Sequence, residues 1–182
     1  MLIRDADAAR DATACAAIYA PSVTHGVASL EEVAPDAAEL GRRIVEVTAR
    51  YPWLVAELDG VVAGYAYAGQ HRVRASYRWS ADVTVYVSAA HHRRGVGRAL
   101  YTQLFTLLAQ QGYYEACAGI TLPNAASVAL HESLGFQAVG IYRKIAFKFG
   151  AWRDVGWWQK TLREHVSNAP PAEPGAPPSA NH

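Results

Sequence analysis

The run Thr84-Val85-Tyr86-Val87-Ser88-Ala89-Ala90-His91-His92-Arg93-Arg94-Gly95-Val96-Gly97-Arg98-Ala99-Leu100 decides how this chain is read. It is a β-branched strand, a basic turn with two glycines, and the start of a long helix. Val96, Leu100, Leu104 and Leu107/Leu108 recur at helical spacing, so the helix begins beside the glycines. Such a junction leaves unpaired backbone N–H groups at the positive end of a helix dipole. Gly95 and Gly97 remove side chains that would hold a ligand away, and Arg93, Arg94 and Arg98 add positive charge. The result is an anion cradle suited to a pyrophosphate. Its spacing is neither that of the nucleotide loop ending in GK[ST] nor GxGxxG, which disfavours a kinase or a dinucleotide-binding protein.

The surrounding sequence supplies one α/β domain. A chain of 182 residues with 51% apolar residues can bury a substantial core. A net charge of +1 argues against general nucleic-acid binding. Two cysteines, Cys15 and Cys117, with no CxxC favour a reducing compartment and no structural zinc, and no metal-ligand spacing stands out along the chain. The N-terminus lacks an apolar signal core and no run approaches membrane-span length, so cytoplasmic residence is the expectation.

Leu2-Ile3-Arg4 reads as a first strand, with Asp5 or Asp7 capping an Ala-rich helix that ends near Pro21. Residues 22–34 read as a loop and 35–50 as a second helix with Leu40, Ile44 and Val47 on one face. Residues 53–58 and 61–68 form a hairpin around Asp59-Gly60. A polar, basic loop over 69–79 leads to a strand at 82–88 and a helix to about Gln111. A strand at 115–122, a helix from Asn124 to Leu134 closed by Gly135, and strands at 136–149 and 155–162 complete the domain over 1–164. The tail 165–182 is Pro/Ala-rich without periodicity and is expected to be disordered. The order β-α-α-β-β-β-α-β-α-β-β implies an α/β (α+β) single domain, a mixed central sheet with helices on both faces.

With these elements in place the chain resembles the GCN5-related N-acetyltransferases (GNAT). The cradle matches that family's pyrophosphate pattern, and LPNAASVALHESLGF matches its strand–helix segment near the pantetheine arm. YPWLVAELDGVVAGYAYAG, WSADVTVYVSAAHHRRGVGRALY and KFGAWRDVGWWQ narrow the likeness to the phosphinothricin N-acetyltransferase group, over about residues 2–162. The resemblance implies a GNAT fold, acetyl-CoA as cosubstrate, no metal, and a homodimer. It implies that backbone groups of Val85, Tyr86 and Val87 line the pantetheine and acetyl group. Amides of Arg93, Arg94, Gly95, Val96, Gly97 and Arg98 hold the pyrophosphate, while Asn124 and Ser133 reach the cosubstrate. Asn124 also suits an ordinary helix cap.

Acetyl transfer to an amine requires a base, and the resemblance assigns it to Asp82. Related sequences commonly carry Glu there, and Asp is shorter by about 1.5 Å, one carbon–carbon bond. His131 stands where many GNAT enzymes carry a tyrosine thought to protonate the leaving thiolate, and imidazole can exchange a proton near neutral pH. Without the resemblance, Asp82 reads as a surface residue and His131 as an ordinary helix histidine.

Arg72 and Arg74 share a face if their segment is extended, and an arginine fork holds a carboxylate or phosphinate. With Tyr77 they match the group's acceptor residues, and Leu30 stands at its Phe position in the acceptor pocket. The implied reaction is acetylation of the α-amino group of a small amino-acid analogue. Phosphinothricin is the lead acceptor, with methionine sulfoximine, methionine sulfone and arsinothricin as competitors. Peptide N-acetylation and a non-catalytic acetyl-CoA sensor are the alternatives. Trp53, Trp79, Trp152, Trp157 and Trp158 read as core or dimer contacts, and Cys117 as inert packing.

Overall fold

The computed structural model describes residues 1–165 and 170–180. Seven strands form one sheet in the order β1-β2-β3-β4-β5-β7-β6. The strands are β1 (Leu2–Asp5), β2 (Trp53–Leu58), β3 (Val61–Gln70), β4 (Ser80–Val87), β5 (Glu115–Leu122), β6 (Gln137–Lys148) and β7 (Ala151–Thr161). The helices are α1 (Ala8–Thr24), α2 (Ala37–Thr48), α3 (Val96–Gln111) and α4 (Ala125–Ser133). Every neighbouring pair is antiparallel except β4–β5. The mixed sheet with helices on both faces agrees with the expectation.

Local chemistry explains the elements. Asp7 caps α1 by accepting from the Arg10 amide at 2.8 Å, and Asp36 caps α2 from the Glu39 amide at 2.8 Å. The β2–β3 turn uses Asp59 (φ 53°) and Gly60 (φ 80°), two left-handed residues as a tight hairpin requires. Helix α1 continues past Pro21 instead of ending there. Proline removes one N–H, but Val23 is fully buried and His25 donates to Pro21 O at 3.1 Å, so packing holds the last turn. Strand β7 begins at Ala151, earlier than the expected 155, because Phe149 (φ 50°) and Gly150 (φ 70°) make a two-residue turn.

Two cores lie on opposite faces of the sheet. Helices α1 and α2 bury Cys15, Val23, Leu40 and Ile44 against Trp53, Val55 and Tyr65. Helix α3 buries Leu100, Tyr101, Leu104 and Leu108 against Leu54, Ala66, Ala81, Val83, Ala116 and Ala118, with Val128 and Leu130 of α4 and its C-cap Leu134 beside them. The α1 layer is fixed to the sheet edge by a buried ion pair, Arg4–Asp11, bidentate at 2.7 Å, which Glu57 extends. Of the tail expected to be disordered, residues 166–169 and 181–182 lie outside the described residues. Residues 170–180 contain no helix or strand but bond to the body, with Trp79 Nε1 donating to Ala172 O at 2.9 Å and Gly175 N to Gln111 O at 2.8 Å. Among the described residues no helix is long and apolar enough to cross a membrane.

Candidate active site

The parallel pair β4–β5 sets the site. It is in register only over Ser80↔Glu115, Ala81↔Ala116 and Asp82↔Cys117, and beyond that point the strands part. The gap is a cavity of 320 Å³ lined by Val83–Val87 of β4, Ala118–Thr121 of β5, and Tyr101, Asn124, Ser127 and His131. Backbone groups on the facing strand edges are thereby left for a ligand to pair with.

At the outer end of β4 the chain makes the basic turn. Arg93 (φ 60°) and Gly95 (φ 80°) are left-handed, and no side chain caps the first turn of α3. Successive amides turned to one side at an uncapped helix start bind anions. His92 Nε2 lies 3.0 Å from Val87 O and tethers the turn to β4. Arg93, Arg94 and Arg98 are exposed. A Cβ on Gly97 would stand 3.2 Å from the Leu130 side chain and 3.6 Å from Val87, so the position is tightly packed between α3, α4 and β4. Gly95 has open space around it. Arg98 reaches Ser133 Oγ at 2.8 Å, and that hydroxyl donates to Leu130 O, so both side chains are engaged in joining α3 to α4.

Asn124 caps α4, its Oδ1 accepting from the Ser127 amide at 3.1 Å. His131 is buried on the same helix. Its Nδ1 lies 2.7 Å from Ser127 O, and a carbonyl only accepts, so Nδ1 carries the proton. Its Nε2 then accepts from Tyr101 OH at 3.1 Å. Burial lowers the pKa of this imidazole and keeps it neutral. Tyr101, a residue for which the sequence offers no separate signal, lines the gap and shares a hydrogen bond with His131.

At the fork where the strands part, Asp82 meets a histidine the sequence reading passed over. His71 Nδ1 lies 2.6 Å from Asp82 Oδ1. Burial raises the Asp82 pKa, and the His71 hydrogen bond and charge work against that rise. The signal for His71 lay in hairpin register: Gly69 pairs with Asp82, so the chain just past Gly69 must lie over the carboxylate. Beside them a second cavity of 370 Å³ is lined by His71, Arg72, Cys117, Tyr142, Trp157 and Gln159, among others. Cys117 belongs to this cavity and Ala118 to the strand gap, so the two spaces meet across one peptide of β5.

Around the second cavity, Arg72 donates to His71 O at 2.8 Å and its guanidinium lies 5.3 Å from the Trp157 ring centre. Tyr77 packs edge-on against His71 at 5.8 Å. Trp157, read as core or dimer contact, is thus part of this site. Arg74 is exposed and sits at the start of the helical turn Ala75–Tyr77. The segment is not extended, so the alternation that would place Arg72 and Arg74 on one face does not operate. Leu30 is part-exposed next to Ser29, whose carbonyl accepts from buried Lys148 at 2.7 Å.

Fold and site together are those of an N-acetyltransferase, the class that the sequence resemblance implies. The acetyltransferase (GNAT) domain family matches residues 5–157, and the chain belongs to this family. It is 51% identical over 122 residues to the phosphinothricin N-acetyltransferase of Streptomyces viridochromogenes, a match spanning 67% of this chain and 65% of that protein. It is 37% identical over 171 residues to the L-methionine sulfoximine/L-methionine sulfone acetyltransferase of Salmonella typhimurium, covering 92% and 98% of the two chains. Among solved structures, the phosphinothricin acetyltransferase of Sinorhizobium meliloti in complex with acetyl-CoA superposes with a TM-score of 0.87 at 36% identity, covering 93% of this chain and 92% of that one. No metal-dependent family is indicated by these likenesses.

Proposed function

We propose that this enzyme transfers the acetyl group of acetyl-CoA to the α-amino group of a small amino-acid analogue, with phosphinothricin as lead acceptor. The observation that carries the reading is the fork itself: Asp82 is the last paired position of β4 and β5, the strand gap opens beyond it, and its partner Cys117 lines the cavity rimmed by Arg72 and Trp157. Acetyl-CoA supplies the activated thioester. The uncapped start of α3, with Arg93–Arg98, binds its pyrophosphate, and the free edge of Val85–Val87 pairs with its amide-bearing arm.

Asp82 and His71 take the proton from the acceptor amine as one unit. The carboxylate accepts a hydrogen bond from Nδ1–H and orients the ring, which leaves Nε2 as the free basic atom. His71 thereby extends the reach of an Asp that is shorter than the Glu of related sequences. Tyr101 and His131 form the proton-bearing pair on the thiolate side. Arg72 and Tyr77 bind the anionic end of the acceptor, Arg74 contributes long-range charge, and Leu30 narrows the acceptor pocket. The relatives named for methionine sulfoximine and sulfone make those analogues the nearest competitors. A soluble substrate and two reduced cysteines suit the cytoplasm.

The test is release of CoA thiol across phosphinothricin, methionine sulfoximine, methionine sulfone, arsinothricin and matched amines lacking the α-carboxylate. Arg72→Ala is expected to lower kcat/KM for the carboxylated acceptors about ten- to hundredfold, the loss of one charge-assisted hydrogen bond of about 1.5–3 kcal/mol. The KM for acetyl-CoA stays unchanged. Equal use of acceptors with and without the carboxylate would remove the substrate assignment.

The enzyme acts as a homodimer in this reading. The edge strand β6, its turn and the start of β7 expose Ile141, Tyr142, Ile145, Phe147, Phe149 and Trp152, an apolar surface rarely left to water at a sheet edge. Tyr142 also lines the acceptor cavity, so a second copy seated there encloses it. Light scattering is expected to give twice the chain mass, and Phe147→Glu a monomer with weakened acceptor binding. A wild-type monomer of full activity would contradict this.

A further inference from the structure

Chain spacing gave no sign of a metal site, yet the fold assembles three different ligand types at the fork. One ligand atom each from His71, Asp82 and Cys117 lies within 4.8 Å of the other two. We propose that these residues bind zinc or another thiophilic divalent cation, which inhibits the enzyme by occupying the base.

Imidazole, carboxylate and thiolate are the three side-chain donors zinc prefers, and no magnesium or calcium site would use the sulfur. Tetrahedral zinc needs donors about 3.3–3.8 Å apart, from bond lengths of about 2.0–2.3 Å. The cluster lies near that size, with His71 and Asp82 closer, at 2.6 Å, and needing to separate. Two of the three positions are fixed by the sheet, because Asp82 and Cys117 are register partners on β4 and β5 and project to one face. Cys117 is buried but lies outside the hydrophobic cluster under α3 that contains its neighbours Ala116 and Ala118. It faces the cavity with His71, which leaves the fourth coordination position open to water or to the acceptor amine. Arg72 is the nearby positive charge, and its guanidinium is turned onto Trp157 and His71 O.

The step balances as an exchange of a cation for a proton. The Cys117 S–H bond breaks, a sulfur–metal bond forms, and one proton leaves to solvent. The His71 ring proton moves from Nδ1 to Nε2, and Nδ1 takes the metal. No electron transfer is involved. Inhibition, though not binding, rests on the reading of Asp82 and His71 as the base.

Cobalt(II) added to the purified, reduced chain is expected to give a thiolate-to-cobalt charge-transfer band that zinc abolishes. Cys117→Ser and Cys117→Ala should lose the band, with Cys15 retained as an internal control. In a transfer assay that follows the acetylated product, because free CoA thiol itself binds zinc, zinc should stop turnover of the wild type. With each rate taken relative to the same protein's own zinc-free turnover, Cys117→Ala should need more than about tenfold higher zinc for half-inhibition than the wild type. Absence of the band in the folded chain, or a band that persists in both Cys117 variants, overturns the site and leaves the acetyltransferase reading intact. A band without loss of turnover overturns the inhibition and counts against Asp82 and His71 as the base.

Discussion

Asp82→Asn is expected to lower kcat by about 10²–10⁴-fold, the usual worth of a positioned general base, with acetyl-CoA binding unchanged. Asparagine keeps the shape of the side chain but cannot hold the negative charge that turns the His71 imidazole. Its amide can also present N–H where Oδ1 now accepts, and a facing pair of donors would push the ring away. Because Asp82 sits at the last paired position of β4 and β5, the lesion is confined to the fork. The strand gap and the α3 cradle keep their geometry, which is why cosubstrate affinity separates this variant from a folding defect.

The pH dependence of the same variant follows from the direction of the Asp82 shift. Burial raises this carboxyl, so the acid side of the rate profile lies higher than for an exposed carboxylate, and turnover falls as pH drops through it. The asparagine variant loses that limb. The stability consequence has the opposite sense. A raised folded-state pKa favours the protonated, folded form at low pH, and this contribution is lost as pH rises through the folded pKa. An uncharged asparagine avoids the penalty, so Tm at pH 8 should not fall while turnover does. A pH–rate profile of unchanged height and shape would assign the base elsewhere.

Much of this arrangement was legible because it is local. The β4–turn–α3 run announced its own strand, turn and helix start, and Asp59-Gly60 and Asn124 declared a hairpin and a cap. What stayed hidden depends on register and on chain meeting chain. His71 gained meaning only once Gly69 was paired with Asp82, and Cys117 only once β5 lay parallel to β4. Trp157 joins the cavity of His71 and Arg72 because β7 inserts between β5 and β6, an order that sequence adjacency does not suggest. The packing of Gly97 against Leu130 was likewise hidden, because it depends on where α4 comes to lie on α3. The shared face read for Arg72 and Arg74 rested on period-two alternation, which holds in strands, and β3 ends at Gln70 before either arginine.

The largest loss of stability is expected from Asp11→Ala, about 3–5 kcal/mol, because it leaves the Arg4 guanidinium buried without its bidentate partner. Asp11 is fully buried and Arg4 is 8% exposed, so solvent cannot replace the lost bonds. At about 2–4 °C per kcal/mol for a chain of this size, Tm should drop by roughly 6–20 °C. The pH dependence is opposite to that of Asp82. Burial pushes the Asp11 carboxyl up, but the Arg4 hydrogen bonds and the Asp7 N–H more than offset it, and the pKa is lowered overall. Its contribution is therefore present at neutral pH and is lost as pH falls through that lowered value. Urea melts of wild type and variant should differ most near pH 7 and converge in acid. Equal stability at pH 7 would show that Glu57 alone satisfies Arg4. Replacing both partners, Arg4→Met with Asp11→Leu, should restore only part of the loss, because the Asp7 amide and Glu57 carboxylate also give up a partner in that background.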